Sequence, residues 1–599
     1  MLLKMTRTLL PLLCAPLLEA AAAPASGPEF LSWAPTPPMG WNSWDCFATT
    51  VTEAQTKAQA DYMAKHLKAH GWQYIVVDIQ WYEPGARSHA YREDATLTMD
   101  DHGRLLPAPN RFPSSTEGRG FKPLADYVHG LGLKFGVHLM RGIPRQAVEK
   151  NLPILGTPYH AQDIADRSNI CPWNPDMYGV DVTKPGAQAY YDSVFALLAA
   201  WGVDYVKVDD ISRPYLKHQD EIEAVRRAID RTGRPIVLSL SPGETVLEAA
   251  DHVTRHANLW RISDDFWDRW LALRDQFGRL AAWNPHRRPG AWPDADMLPL
   301  GTLVLGERTT RFTPDEQRTL MTLWSIARSP LMHGGDMTTT DPATLALLTN
   351  AEILAVNQNS LNNRPLFERD DLIAWTADVP GSGDKYLAVF NTRDRVRLTA
   401  ENAAFASPPV TDDPASAVQI DADLRGGSTL TLVAQPDAVS GEWNRVLWAQ
   451  PTLGFADGSE RPLTELSWTH ADASWDSTAV KKDEAGQVLG IAAEIPAVVE
   501  YRLPEGAVRL RATARVLSNG RGHPPGPTRF LVVVGRPENT ARGEGVAVPV
   551  TLGELGLKGK VRIRDLWTHQ DVGEFAGEFA PVIPFHGAGM YRLSPVAAP

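Results

Sequence analysis

Residues 203–210 read VDYVKVDD. An apolar run of strand length ends there in Lys207, Asp209 and Asp210. Farther along, LWRISDD (259–265) repeats the theme, opening onto Asp264 and Asp265 with Arg261 just upstream. Charged groups at the C-terminal ends of parallel strands are where a β/α barrel builds its active site. Two carboxylates delivered on different strands suffice to split a glycosidic bond, one attacking the anomeric carbon or activating water, the other protonating the leaving oxygen. Lys207 beside Asp209 would keep that carboxylate ionised and could bond a sugar hydroxyl; the bland alternative is an ordinary ion pair at a barrel rim. Asp264 beside Asp265 is a like charge, which raises one of the two pKa values and favours a protonated acid.

These groups need a scaffold, and the chain supplies strand-like runs at MGWNSW (39–44), YIVVDIQW (74–81), LKFGVHLM (133–140), VDYVKVDD (203–210), RPIVLSLS (234–241), LWRISDD (259–265), WPDADML (292–298) and SPLMHGGD (329–336). Amphipathic stretches lie between them. One opens with Thr52 before Gln55, the spacing of a capping box, and closes at Gly71. Strands alternating with helices in this number predict a (β/α)₈ barrel. A doubly wound sheet competes, but no glycine-rich phosphate turn follows the first strand. After about Leu366 helical periodicity fades into short alternating runs such as LIAWTA, YLAVFN and VRIRDLW, the texture of antiparallel β-sandwiches. The Ala-, Pro- and Asp-rich stretch 402–417 reads as a linker.

At 599 residues the chain exceeds a single core, and 43% hydrophobic with 22% charged residues is an ordinary globular mix. A net charge of -12 argues against nucleic acid as a partner. Lys4 and Arg7, the apolar LLPLLCAPLL and the small residues EAAAAPASG make a secretory leader cut near Ala22 or Ala23, and hence a secreted or periplasmic protein. That apolar run is too short to span a membrane, and no membrane partner is expected. Removal of the leader leaves Cys46 and Cys171, enough for one disulfide and too few for a cysteine metal site. His66 and His70 lack a third ligand, so no metal and no cofactor is expected.

PPMGWNSW, YVKVDD, WRISDD and WPDADML, in this order, resemble glycoside hydrolase family 27, the α-galactosidases or melibiases, with α-N-acetylgalactosaminidases and β-L-arabinopyranosidases as relatives. The resemblance runs through 35–360 and resumes at the C-terminus. After the leader (1–23), it implies a catalytic barrel (28–362), a β-sandwich split into 366–402 and 541–599, and an inserted β-rich module (403–540). The module itself is similar, over fewer residues, to carbohydrate-binding modules, with a structural spacer as the alternative. Family motifs imply Asp209 as nucleophile and Asp265 as acid/base of a retaining mechanism. Trp41 would be the sugar floor, and Asp78, Lys207, Arg261 and Asp296 would bind hydroxyls. Asp210 would be a supporting or loop-capping residue, and Asp294 a helix cap.

The chain departs from the family pattern in its glycone readers. Ile79 stands where a second Asp belongs, His138 where a Tyr belongs, and Ser241 where α-galactosidases often carry Glu. Ile211 takes the place of a Cys, which leaves Cys171 without its family partner. Ile79 removes an acceptor and adds an apolar wall that suits a pentopyranose, whereas Ser241 opens space near C2. His138 either replaces the Tyr hydroxyl as a donor or is a satisfied core histidine. The resemblance therefore implies an exo-acting α-galactosidase on oligo- or polysaccharides with a terminal galactose-like sugar. A β-L-arabinopyranosidase or α-N-acetylgalactosaminidase is the alternative, and a non-catalytic sugar-binding barrel the outlying one.

Overall fold

The computed structural model describes residues 28–437, 444–519 and 525–596. The leader expected at 1–23 lies outside them. Eight parallel strands form the first sheet: β1 (Met39–Asn42), β2 (Tyr74–Val77), β3 (Lys134–Met140), β4 (Tyr205–Asp209), β5 (Val237–Leu240), β6 (Leu259–Arg261), β7 (Trp292–Asp294) and β8 (Leu331–His333). From β1 to β7 each pairs with its sequence neighbours, and β1 pairs with β8. The ring closes just past β7, where the Leu298 N–H donates to the Met332 carbonyl at 2.7 Å and Leu298 accepts from Gly334 at 3.0 Å. Helices α1 (Glu53–Tyr62), α2 (Lys122–Gly130), α3 (Ala187–Trp201), α4 (Tyr215–Arg231), α5 (Ala250–His256), α6 (Trp270–Trp283), α7 (Pro314–Ala327) and α8 (Ala351–Asn359) alternate with the strands. This is the (β/α)₈ barrel the alternation predicts.

The pleat decides which side chains enter the barrel, because successive strand residues face opposite sides. Tyr74, Val76, Tyr205, Val237, Leu259 and Trp292 pack together as an inner plug, while Ile75, Val77, Val206, Val208, Leu238 and Trp260 pack with the helical layer. Lys207 and Asp209 follow Tyr205 at steps of two. They therefore face inward above the plug, as does Arg261 above Leu259. The capping box at the start of α1 is formed, with the Gln55 N–H donating to Thr52 Oγ1 and the Thr52 N–H to Gln55 Oε1.

A six-stranded antiparallel sheet follows, built from β9 (Leu361–Arg369), β10 (Leu372–Asp378), β11 (Lys385–Asn391), β12 (Lys560–Asp565), β13 (Gln570–Ala576) and β14 (Ala588–Pro595). Its order is β9-β10-β11-β14-β12-β13, so β14 joins the early and late halves. Between them a nine-stranded antiparallel sheet begins at Ala403–Ala406 and ends at Thr528–Gly535. The stretch expected as a linker is part of that sheet. Ala403–Ala406 is an edge strand on Thr528–Gly535, and Val410 bridges Thr528. Small alanines fit an edge position, and their composition alone mimicked a tether.

The inserted sheet rests on the barrel at the start of α6. Leu271 packs with Val433, Val498, Leu531 and Val533, and the buried Asp472 carboxylate accepts from the Leu271 N–H at 2.9 Å and Arg269 at 3.3 Å. Cys46 and Cys171 are both free and buried. No described helix is long and apolar enough to cross a membrane.

Candidate active site

The C-terminal ends of β2, β3, β4, β6 and β7 bring the charged groups together. Asp209 ends β4. Its Oδ2 lies 2.8 Å from His138 Nε2 on β3, and its Oδ1 accepts the Asp210 N–H at 2.8 Å. A carboxylate only accepts, so His138 carries its proton on Nε2 and acts as the donor to Asp209.

Asp78, at the end of β2, accepts from Asn42 Nδ2 at 2.7 Å and from Lys207 Nζ at 3.0 Å. Burial alone would raise its pKa. The Lys207 ammonium, then His138 and the hydrogen bonds from Asn42 and Lys207, outweigh burial and hold it at about 2. Lys207 thus binds Asp78 rather than forming the simple rim pair with Asp209, and its own pKa is raised against burial by Asp78, Asp209 and Asp296.

Arg261 bridges two further carboxylates, Asp296 at 2.8 Å and Asp265 at 3.3 Å. Burial pushes Asp265 up to about 6; Arg261 opposes, while Asp296 and Asp209 add like-charge repulsion. Its side chain is 34% exposed, so solvent screens part of that push. Asp264 pairs with Arg213 at 2.8 Å, so the like charges that matter to Asp265 come from other strands.

Asp296 takes a left-handed backbone at φ 82° and accepts the Phe266 N–H at 2.7 Å. Asp294 caps no helix. Its Oδ1 accepts the Asp296 N–H at 2.9 Å and holds that tight turn, and burial with Asp296 nearby lifts it to about 6. The expected cap fails because WPDADML leaves β7 as a turn toward β8. Ser241 is buried at the end of β5 beside Lys207, Arg261 and Asp296, around one small cavity. Asp210 is tied to Arg141 at 2.8 Å and is lifted by burial to about 7.

Trp41 is not the sugar floor. It is fully buried, its Nε1 donates to the Gly335 carbonyl at 2.9 Å, and it packs edge-on to Phe47. The pleat explains this: Asn42 faces in to reach Asp78, so Trp41 faces the helical layer. A partly exposed ring next to the site is that of Trp44, whose backbone N–H donates to Asn42 Oδ1 at 2.9 Å.

Two further groups were not legible. Asp45 is buried with Oδ2 unpartnered, and burial with Asp296 nearby pushes its pKa well up. Glu223 of α4 and His252 and His256 of α5 bring candidate ligand atoms within 4.8 Å of one another. Only the His252–His256 spacing was visible in sequence.

Residues 36–181 and 176–359 match the family model described as alpha galactosidase A, and 528–593 match that of the alpha galactosidase C-terminal beta sandwich domain. A family 27 β-L-arabinopyranosidase from Geobacillus stearothermophilus, solved in complex with arabinose, is 40% identical. The match covers 96% of this chain and 100% of that one, with a TM-score of 0.68. An α-galactosidase from Coffea arabica is 31% identical over 58% of this chain and 76% of its own. An α-N-acetylgalactosaminidase from Gallus gallus is 29% identical over 54% and 71%.

Proposed function

The chain belongs to glycoside hydrolase family 27, a glycosidase of the α-galactosidase type, and on that premise we propose that its glycone is β-L-arabinopyranose. The observation that carries this reading is Ile79, buried immediately after Asp78 at the end of β2. One carboxylate remains there to grip a sugar hydroxyl, and the second acceptor of the family pattern, which would meet an exocyclic hydroxymethyl group, is replaced by an apolar residue. β-L-Arabinopyranose is the α-D-galactoside framework without that arm. The likeness to the Geobacillus β-L-arabinopyranosidase supports the same reading, since it spans the inserted sheet as well as the barrel, whereas the coffee α-galactosidase match covers 58% of the chain.

The proposed chemistry is a double displacement. Asp209, oriented by His138 and the Asp210 N–H, attacks the anomeric carbon and forms a glycosyl ester. Asp265 gives its proton to the leaving oxygen. It then takes a proton from the water that opens the ester, releasing the sugar with retained configuration. Trp44, rather than Trp41, is the proposed floor of the glycone pocket, and Asp78, Lys207, Arg261, Asp296 and Ser241 its polar lining.

Initial rates on p-nitrophenyl β-L-arabinopyranoside, α-D-galactoside and α-N-acetylgalactosaminide test the glycone. The arabinopyranoside is expected to lead by about tenfold or more in kcat/KM, the worth of one misplaced polar group. A lead for galactoside would overturn the proposal and leave the family assignment intact.

The acid also sets a pH limit. Asp265 must enter the reaction protonated and Asp209 ionised. With Asp265 near pKa 6, kcat/KM should fall about tenfold per unit as pH rises beyond roughly 6. A profile flat through pH 8 on a substrate with an unactivated leaving group would exclude Asp265 as the acid.

A further inference from the structure

Four partly exposed rings from three loops extend outward from Trp44 in one continuous series. Trp173 packs tilted on Tyr91 with centroids 5.5 Å apart, and Tyr91 lies parallel to Trp44 at 6.5 Å. Trp44 meets His89 edge-on at 5.3 Å, and His89 meets Trp267 edge-on at 6.0 Å. The series is anchored to the site from several sides. Tyr91 lies within electrostatic reach of Asp209, Asp78 and Asp265, and Trp267 follows Asp265 by two residues.

These rings are poor candidates for simple loop packing. His89 and Trp267 belong to no buried apolar cluster, and Tyr91 and Trp173 only border the main one. Aromatic rings contribute most when their faces are covered, and partly exposed rings beside a catalytic site are suited to lining a ligand site. The direction is set by the chemistry. The oxygen protonated by Asp265 belongs to the leaving group, so the aglycone must lie against the 264–269 loop that carries Trp267.

We propose that Tyr91, Trp173, His89 and Trp267 form an aglycone subsite that receives a ring-shaped leaving group by its apolar face. Such a face is offered by a second pyranose or by an aromatic alcohol. The inference rests on the catalytic reading above.

The test uses three glycosides of the same glycone with alcohol leaving groups of similar acidity: methyl, 2-phenylethyl and a disaccharide. Wild type, Trp173→Ala and Trp267→Ala are compared, with melting temperature as a check on folding. Each variant is expected to lose about tenfold in kcat/KM on a ring aglycone, mainly through KM, and less than about twofold on the methyl glycoside. Loss confined to the disaccharide identifies a sugar occupant; loss confined to the 2-phenylethyl glycoside identifies an aromatic one. Equal losses on all three, or none, overturn the subsite. Failure of wild type to hydrolyse any of them would instead overturn the catalytic reading. Should the variants not fold, wild type decides alone. 2-Phenylethanol should intercept the glycosyl ester better than ethanol at equal concentration, its oxygen bonding to the anomeric carbon and its proton passing to Asp265. Equal capture would refute the subsite.

Discussion

Asp209→Ala is expected to lower kcat on every glycoside the enzyme turns over by about 10⁴-fold or more, the scale of losing a nucleophile. The fold should survive, because the side chain gives up only two hydrogen bonds, to His138 Nε2 and the Asp210 N–H, at the rim of the barrel. Azide separates this role from a structural one. It fits the vacated space, attacks the same carbon once Asp265 has protonated the leaving group, and gives a glycosyl azide of inverted configuration. Parent-like turnover in the variant, or no azide product alongside an intact melting curve, would remove Asp209 from the proposed role.

Ile79→Asp is the second large effect. The variant restores a carboxylate next to Asp78, within the field of Lys207 that already holds Asp78 near pKa 2. The expected result is a shift of the galactoside-to-arabinopyranoside ratio of kcat/KM by about 100-fold toward galactoside. A buried acceptor is satisfied by the hydroxymethyl group and left unpaired by a pentose. Ile79→Val keeps the apolar wall and should keep the parent preference. Equal losses on both substrates in Ile79→Asp would mean that the position only packs the core.

The barrel was legible because several strands announce themselves twice, as an apolar run and as the charged group that ends it. LWRISDD and VDYVKVDD carry both signals, and β6 and β4 start within them. What failed was geometry beyond the last pleated residue. MGWNSW reads as one strand, yet β1 stops at Asn42 and the chain turns into a short helix from Trp44, so the two tryptophans end on different sides of the wall. The same limit hid the turn held by Asp294. Contacts between elements were invisible for another reason. His89, Tyr91, Trp173 and Trp267 sit on aperiodic loops, and Glu223 meets His252 across two helices, so no local pattern links them. The split of the six-stranded sheet was legible only through the family resemblance, because YLAVFN and VRIRDLW share their alternating texture with the insertion between them.

That split has a consequence for manufacture. β11 is apolar and almost wholly buried, and its partner is β14: Leu387 sits opposite Tyr591. The ribosome delivers β11 early, then spells out a nine-stranded unit whose strands all lie within 403–535, and only afterwards reaches β14. At synthesis rates of about 5–20 residues per second, β11 waits for roughly 10–40 seconds as an uncovered sheet edge, the arrangement most prone to pair with a neighbouring chain. The yield of folded enzyme is therefore expected to depend on how closely nascent chains are spaced on the message, more than on the stability of the finished molecule.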